Sequence, residues 1–365
     1  MAKKLLFIRY KTNDGIAEGG VVNSQTNLDT MRSILGDEQI DEYAIHDISK
    51  RKFIDKLKGI FLFFGGMFYG VTYKRLNELN VLAQNYDIIF IDRSIFGIIA
   101  KSLKKNGYKG KIMTFFHNFE PIYFKDKMSI LNPFKRVIIN CVRKNEHWSC
   151  QYSDIVISLN QRDNHLIFTH YHRNADFFIP VSFKDTYTPS DFQKQRPFEK
   201  PPLCLFLGAN FPANTDGLFW FIKEVLPHVD IRLQIVGKGM ENIKPRLPND
   251  NRIELYGSVA DIKEFLENAD IMILPIFKGS GMKVKTCEAM MYGKYIIGSS
   301  ESFEGYNVDF NEIGALANTK EEFILAIQRF TERFNNKYNA YSRKYFLQNH
   351  SSEINNNIIQ KLLSS

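Results

Sequence analysis

Short apolar runs alternate with helix-like stretches along almost the whole chain, and that rhythm leaves few folds open. In the first half the runs fall at 5–9, 44–47, 88–92, 111–116 and 155–158. In the second half they fall at 203–208, 233–237, 253–256, 271–275 and 295–298. Runs this apolar read as strands buried on both faces, with the helical stretches as crossovers covering a parallel sheet. Between the halves, 180–202 is rich in Ser, Thr, Gln, Lys and Pro, the composition of a linker. The expectation is an α/β protein of two doubly wound domains, 1–182 and 203–334, joined by a linker at 183–202. A polar helical tail, 335–365, is expected to pack back on the first domain. Two such domains would face each other across a cleft, with ligands at the carboxyl ends of the strands.

The chain has 365 residues and a formal charge of +8. That length suits two domains, and the charge suits acidic partners. Cys141, Cys150, Cys204 and Cys287 show no metal or redox spacing, so reduced thiols in the cytoplasm are expected. The first residues read as a strand rather than a signal peptide. The longest apolar run, 60–71, is too short to span a bilayer.

One stretch is rich in chemistry. Gly279, Ser280, Gly281, Met282, Lys283, Val284 and Lys285 follow the run at 271–275 and precede a helix that closes on Gly293. A glycine turn opening a helix at a strand's carboxyl end gathers free N–H groups and the positive end of the helix dipole, which suits a diphosphate. Two lysines there oppose the dipole unless an anion is bound. Glu288, farther along, can accept hydrogen bonds from a vicinal diol such as a ribose. The alternative is a solvated helix start with a Lys285–Glu288 pair at i, i+3.

The second half resembles the retaining glycosyltransferases of family 4, whose GT-B fold has two facing Rossmann-like domains. The matching segments run in family order from about 203 to 306: 206–214, 235–239, 269–275, 279–281 into Glu288, 292–294, and Glu304 with Gly305. The first half matches more loosely, through Gly19 and Gly20 after the first strand, His117 after the fourth, and 146–158. The resemblance implies transfer of a sugar from a nucleotide diphosphate sugar, a UDP-sugar favoured, with the anomeric configuration retained. It implies no other cofactor, and without an Asp-x-Asp motif no metal is expected. Glu288 matches the second glutamate of the family's E-x7-E pattern, the one that usually binds ribose. The first falls on Ser280, and the resemblance then implies that backbone N–H groups of residues 279–282 would hold the sugar instead. The family's basic clamp after the first strand of the second domain is also missing: Gly208, Ala209 and Asn210 stand there. Lys283 is the first candidate for the replacement charge and Lys285 the second. His117 is the candidate for the donor sugar. Gly19 and Gly20 would allow close backbone approach, and Gly237 and Lys238 would underlie the base. Glu304 either sits where the second domain should face the first or is a surface charge. Asp92 and Arg93 either line the cleft or pair with each other.

Basic residues crowd the first half around an aromatic run at 60–69. Lysines and arginines beside exposed aromatics suit an anionic membrane surface, where a glycan or lipid-linked acceptor is met. The expected location is cytoplasmic and peripheral on the inner face of the cell membrane. A homo-oligomer stays among the options. No helix-turn-helix, zinc or RNA-binding signature supports nucleic acid. Two other classes were weighed: a catalytically silent GT-B partner of another transferase, and a sugar-nucleotide 2-epimerase, for which no full acid–base set can be assigned.

Overall fold

The structure, a computed structural model, describes residues 3–11, 19–46, 63–68, 70–128, 132–334 and 336–365. Much of the aromatic run and the lysines at 50, 52, 56 and 58 lie outside the described residues. The chain forms two compact units, Met1–Pro180 with Ser352–Ser365, and Val181–Ser351.

The first unit holds a six-stranded parallel sheet in the order β2-β1-β3-β4-β5-β6. Its strands are β1 (Leu5–Lys11), β2 (Ile40–His46), β3 (Ile88–Ile91), β4 (Lys111–Phe116), β5 (Ile155–Ser158) and β6 (Phe177–Phe178). Burial of whole strands fits a sheet covered on both faces: all four residues of β3 and of β5 are buried. Phe7 and Phe90 stack at 4.9 Å between adjacent strands. The helix Gly19–Leu35 follows β1 and packs against Ser352–Ser364.

The second unit repeats the plan with β7 (Leu203–Leu207), β8 (Arg232–Val236), β9 (Ile253–Leu255), β10 (Ile271–Leu274), β11 (Tyr295–Gly298) and β12 (Gly314–Leu316), in the order β12-β11-β10-β7-β8-β9. The strand order reverses between β1 and β3 in one sheet and between β7 and β10 in the other. Such switch points are where open α/β sheets bind ligands.

The proline-rich segment is fastened to the second unit. The buried Lys337 ammonium donates to Glu199 at 2.9 Å and to the Asn268 carbonyl at 2.9 Å, and pairs with Asp270 at 3.2 Å. Asp270 in turn accepts from the Leu203 amide at the start of β7. Of the tail, the helix Ala340–Asn349 belongs to the second unit and Ser352–Ser364 to the first.

Candidate active site

The loop after β10 runs from Pro275 to Lys283, and the helix opens at Val284. Gly279 and Gly281 take φ of +151° and +61°, values that L side chains rarely adopt. The helix Val284–Met291 ends at Gly293, with φ +60°. There the Gly293 amide donates to the Met290 carbonyl and the Lys294 amide to the Ala289 carbonyl, a Schellman closure. Among the described residues, the amide N–H groups of Gly279, Ser280 and Met282 meet no protein acceptor. The Ser280 hydroxyl is likewise buried without a partner. Unpaired donors of this kind are costly unless water or a ligand takes them.

The two lysines part company. Lys283 stands at the N-cap position, makes no side-chain cap bond and folds back onto its own loop: its ammonium donates to the Gly281 carbonyl at 3.0 Å, the Ser280 carbonyl at 3.3 Å and the Glu301 carboxylate at 2.6 Å. Lys285 points elsewhere, as positions two apart on a helix must. Its ammonium donates to the Asn214 side-chain carbonyl at 2.6 Å and stands 5.3 Å from the Phe206 ring. Among the described residues no carboxylate lies within ion-pairing distance of it, and the i, i+3 pair with Glu288 does not form. Burial and, second, the Lys283 charge push the Lys285 ammonium down to about 7. Burial pushes the Glu288 carboxyl up to about 7, and the charge of Lys285 opposes that rise.

Gly208 makes room for this arrangement. A methyl group there would lie 3.0 Å from the Lys285 ammonium and 3.0 Å from the Asn214 amide. Asn214 sits in the first turn of the helix Pro212–Trp220 and also donates to the Ala209 carbonyl at 2.9 Å. Lys285 therefore bridges the starts of two helices at the switch point between β7 and β10. Asn210 ties neighbouring loops together, its amide donating to the Lys238 carbonyl at 2.8 Å and its side chain to the Gly239 carbonyl at 3.1 Å. The Lys238 side chain is exposed. Gly237, φ +149°, lets the β8 loop touch the Gly208 backbone. Met282 is buried against Gly305, beside the partly exposed Glu304.

In the first unit, His117 follows β4 and is buried. Its Nε2 lies 3.1 Å from Asp92, which follows β3 and also accepts from the Ser24 hydroxyl. Gly20 stands against both His117 and Arg93. Asp92 and Arg93 do not pair with each other: Arg93 reaches Glu120 at 3.7 Å. Gly19 is the first residue of the helix Gly19–Leu35. Sequence reasoning passed over Asn214 and Glu301 as site residues. Asn214 carried one readable signal, its place just after a proline that starts a helix; Glu301 carried none.

Residues 201–333 match the glycosyl transferases group 1 family. The whole chain is similar in structure to HepE of Anabaena, crystallised with UDP and glucose, at TM-score 0.69 and 13% identity over 100% of both chains. It is also similar to sucrose-phosphate synthase of Thermosynechococcus elongatus, at TM-score 0.72 and 11% identity over 99% of this chain and 98% of that one. In sequence it is 25% identical over 296 residues to a 44.6 kDa protein in the cps region of Klebsiella pneumoniae, covering 73% of this chain and 72% of that one. The fold is GT-B, and the family match supports a glycosyltransferase. Among the described residues, no group of His, Cys, Asp and Glu is placed to hold a metal, and no helix is long and apolar enough to cross a membrane. All four cysteines are buried and free.

Proposed function

We propose that this chain transfers a sugar from a nucleotide diphosphate sugar, UDP-linked by preference, to a glycan or lipid-linked acceptor with retention at the anomeric carbon, in surface polysaccharide or glycoconjugate synthesis. The observation that carries this is the Lys285 ammonium, which among the described residues meets a neutral amide and no carboxylate, on a helix opened by a loop with three unpaired amides. A diphosphate there answers all of these groups at once. As the glycosidic bond breaks, negative charge builds on the leaving phosphate. Preorganised N–H donors and Lys285 stabilise that charge more in the transition state than in the ground state. The leaving phosphate takes the acceptor proton, so no separate base is assigned. Glu288 is assigned to the ribose and Ser280 with its neighbouring amides to the sugar. Lys283 shapes the loop. His117 is assigned to a sugar hydroxyl, with Gly19 and Gly20 giving room for close approach. The donor complexes of HepE and the cps location of the Klebsiella relative favour this family 4 reading.

A membrane-facing surface belongs to the same proposal. Phe64 is 63% exposed and Phe134 43% exposed. Lys144 donates to the Phe64 carbonyl, Lys101 and Lys144 flank Trp148, and Lys135 and Arg136 follow Phe134. Vesicles with phosphatidylglycerol should retain the protein and neutral vesicles should not.

The central test is a thermal-shift screen of UDP-, GDP-, ADP- and CMP-linked sugars. A ligand that binds the native state raises the melting temperature by mass action. UDP-sugars should stabilise the protein and Lys285→Gln should shrink the shift. No shift with any donor, together with no transfer or hydrolysis, sinks the proposal.

A further inference from the structure

The first unit holds a chain of polar groups behind His117 to which no role has yet been given. It starts on the helix Gly19–Leu35 at Ser24, passes through Asp92 after β3, and ends at His117 after β4. All three residues are buried: Ser24 is 5% exposed, Asp92 2% and His117 3%. Their backbones are well fixed. The Asp92 amide donates to the Ile8 carbonyl of β1 at 2.9 Å. The His117 ring stands edge-on to Phe115 with centroids 4.6 Å apart, which restrains its orientation.

The hydrogen-bond roles follow from chemistry. An ionised carboxylate only accepts. Asp92 Oδ2 accepts from the Ser24 hydroxyl, so Oδ1 is left to accept from His117 Nε2 at 3.1 Å. A neutral imidazole that donates from Nε2 has a bare lone pair at Nδ1. That nitrogen meets no hydrogen-bond partner among the described residues. It faces Gly20, where a methyl group would lie 3.9 Å from Nδ1. The same methyl group would lie 3.0 Å from the Arg93 guanidinium, the charged group facing Gly20 beside this nitrogen.

We propose that Asp92, held in turn by Ser24, is a positioning residue that locks His117 in the Nε2–H tautomer, so that His117 presents an acceptor at Nδ1 to a donating hydroxyl of the ligand. The assignment rests on the reading of His117 as a sugar-binding residue, and it fixes the polarity of that contact. A ligand group that can only accept, such as an ether oxygen, gains nothing there. A hydroxyl gains a directed hydrogen bond.

The decisive experiment reads the tautomer directly. The 15N spectrum of the histidine rings in the wild-type protein at pH 7.5, with His117 assigned through the loss of its signals in His117→Gln, should show Nε2 protonated and Nδ1 bare. An Nδ1–H tautomer or an imidazolium at that pH overturns the proposal, whatever the enzyme does with sugars. A second arm uses Asp92→Asn and Ser24→Ala. Asp92→Asn should mix the two tautomers in the same spectrum. It should lower kcat with UDP-glucose about 10–100-fold, the usual span for a group that orients another, while the Kd for UDP stays within about twofold, since the diphosphate groups lie in the second unit. Ser24→Ala should give a smaller loss in the same direction. An unchanged tautomer and unchanged kcat in Asp92→Asn would make the contact merely structural and reject the proposal. If no donor is turned over, the transferase reading fails while the spectrum still decides this one.

Discussion

Lys283 and Glu301 meet at 2.6 Å, which leaves Lys285 as the loop lysine with no carboxylate in ion-pairing distance among the described residues. Lys283 spends its charge on holding Ser280, Gly281 and Glu301 together. Lys285, two residues on, is left with an amide oxygen.

Replacing Lys285 by Gln should cost about 100-fold in kcat, the order found when one preorganised donor to a developing negative charge is removed. The pH dependence gives a second check. With its ammonium near 7, Lys285 loses its proton as pH rises from 6 to 9. Donor affinity should fall over that range, with proton uptake on binding near pH 8 seen by calorimetry in buffers of different ionisation heat. For the ligand-free protein the sign reverses. The unfolded lysine titrates near ~10.4, so between about 7 and that value the unfolded chain holds the extra proton. This group therefore makes native stability rise with pH over that window. Lys285→Gln should flatten both profiles; donor affinity that stays level or rises with pH in the wild type would count against the assignment.

Gly208 and Gly237 touch, yet they should fail differently. Gly208→Ala pushes only on the flexible ends of Lys285 and Asn214. Melting should shift little while UDP binding weakens about tenfold or more, one displaced charge contact being worth roughly 1.4 kcal/mol or above. A methyl group at Gly237 would lie 2.1 Å from the Gly208 carbonyl oxygen at φ +149°. Gly237→Ala should destabilise by roughly 1–3 kcal/mol from backbone strain alone, read by urea unfolding.

Lys283→Met removes the tie between the loop and Glu301. Breaking one side of a largely buried pair costs on the order of 3 kcal/mol. The expected result is a lower melting temperature and a raised KM, with kcat less affected than in Lys285→Gln. A kcat loss as deep as that of Lys285→Gln, with melting unchanged, would transfer the catalytic charge to Lys283.

Glu146, in the first unit, offers a separate test. It is fully buried, accepts from Ser94 and Tyr171 at 2.9 Å each, and burial pushes its carboxyl up to about 8. A raised acid favours the fold while protonated. Its contribution is complete below about 4.5 and is lost as pH rises through about 8. Glu146→Gln keeps the shape without the ionisation. The variant should melt higher than wild type at pH 8.5 and show a flatter stability profile between pH 5 and 8.5.

Much of the architecture was legible in the residues. Buried parallel strands leave unbroken apolar runs, so ten strands fell near their places, β9 among them with three residues. β6 has only two residues, and β12, of Gly314, Ala315 and Leu316, lacks the branched apolar side chains that mark a run. The turn at 279–281 and the closure at Gly293 were readable because positive φ selects glycine. The division of labour between Lys283 and Lys285 was not. It depends on Glu301 and Asn214, which tertiary structure alone brings to the lysines. Asp92 was weighed against its neighbour Arg93, and its actual partner lies at the end of the next strand, at His117.

The last helix has a practical consequence. Lys3 donates to the Leu363 carbonyl at 2.7 Å, and Ser352–Ser364 lies along Gly19–Leu35. Residues 3 and 363, some 360 positions apart, thus complete one and the same body. A ribosome must pass residue 363 before that body can close, and a product cut off near residue 350 would leave its earlier-made half unsealed.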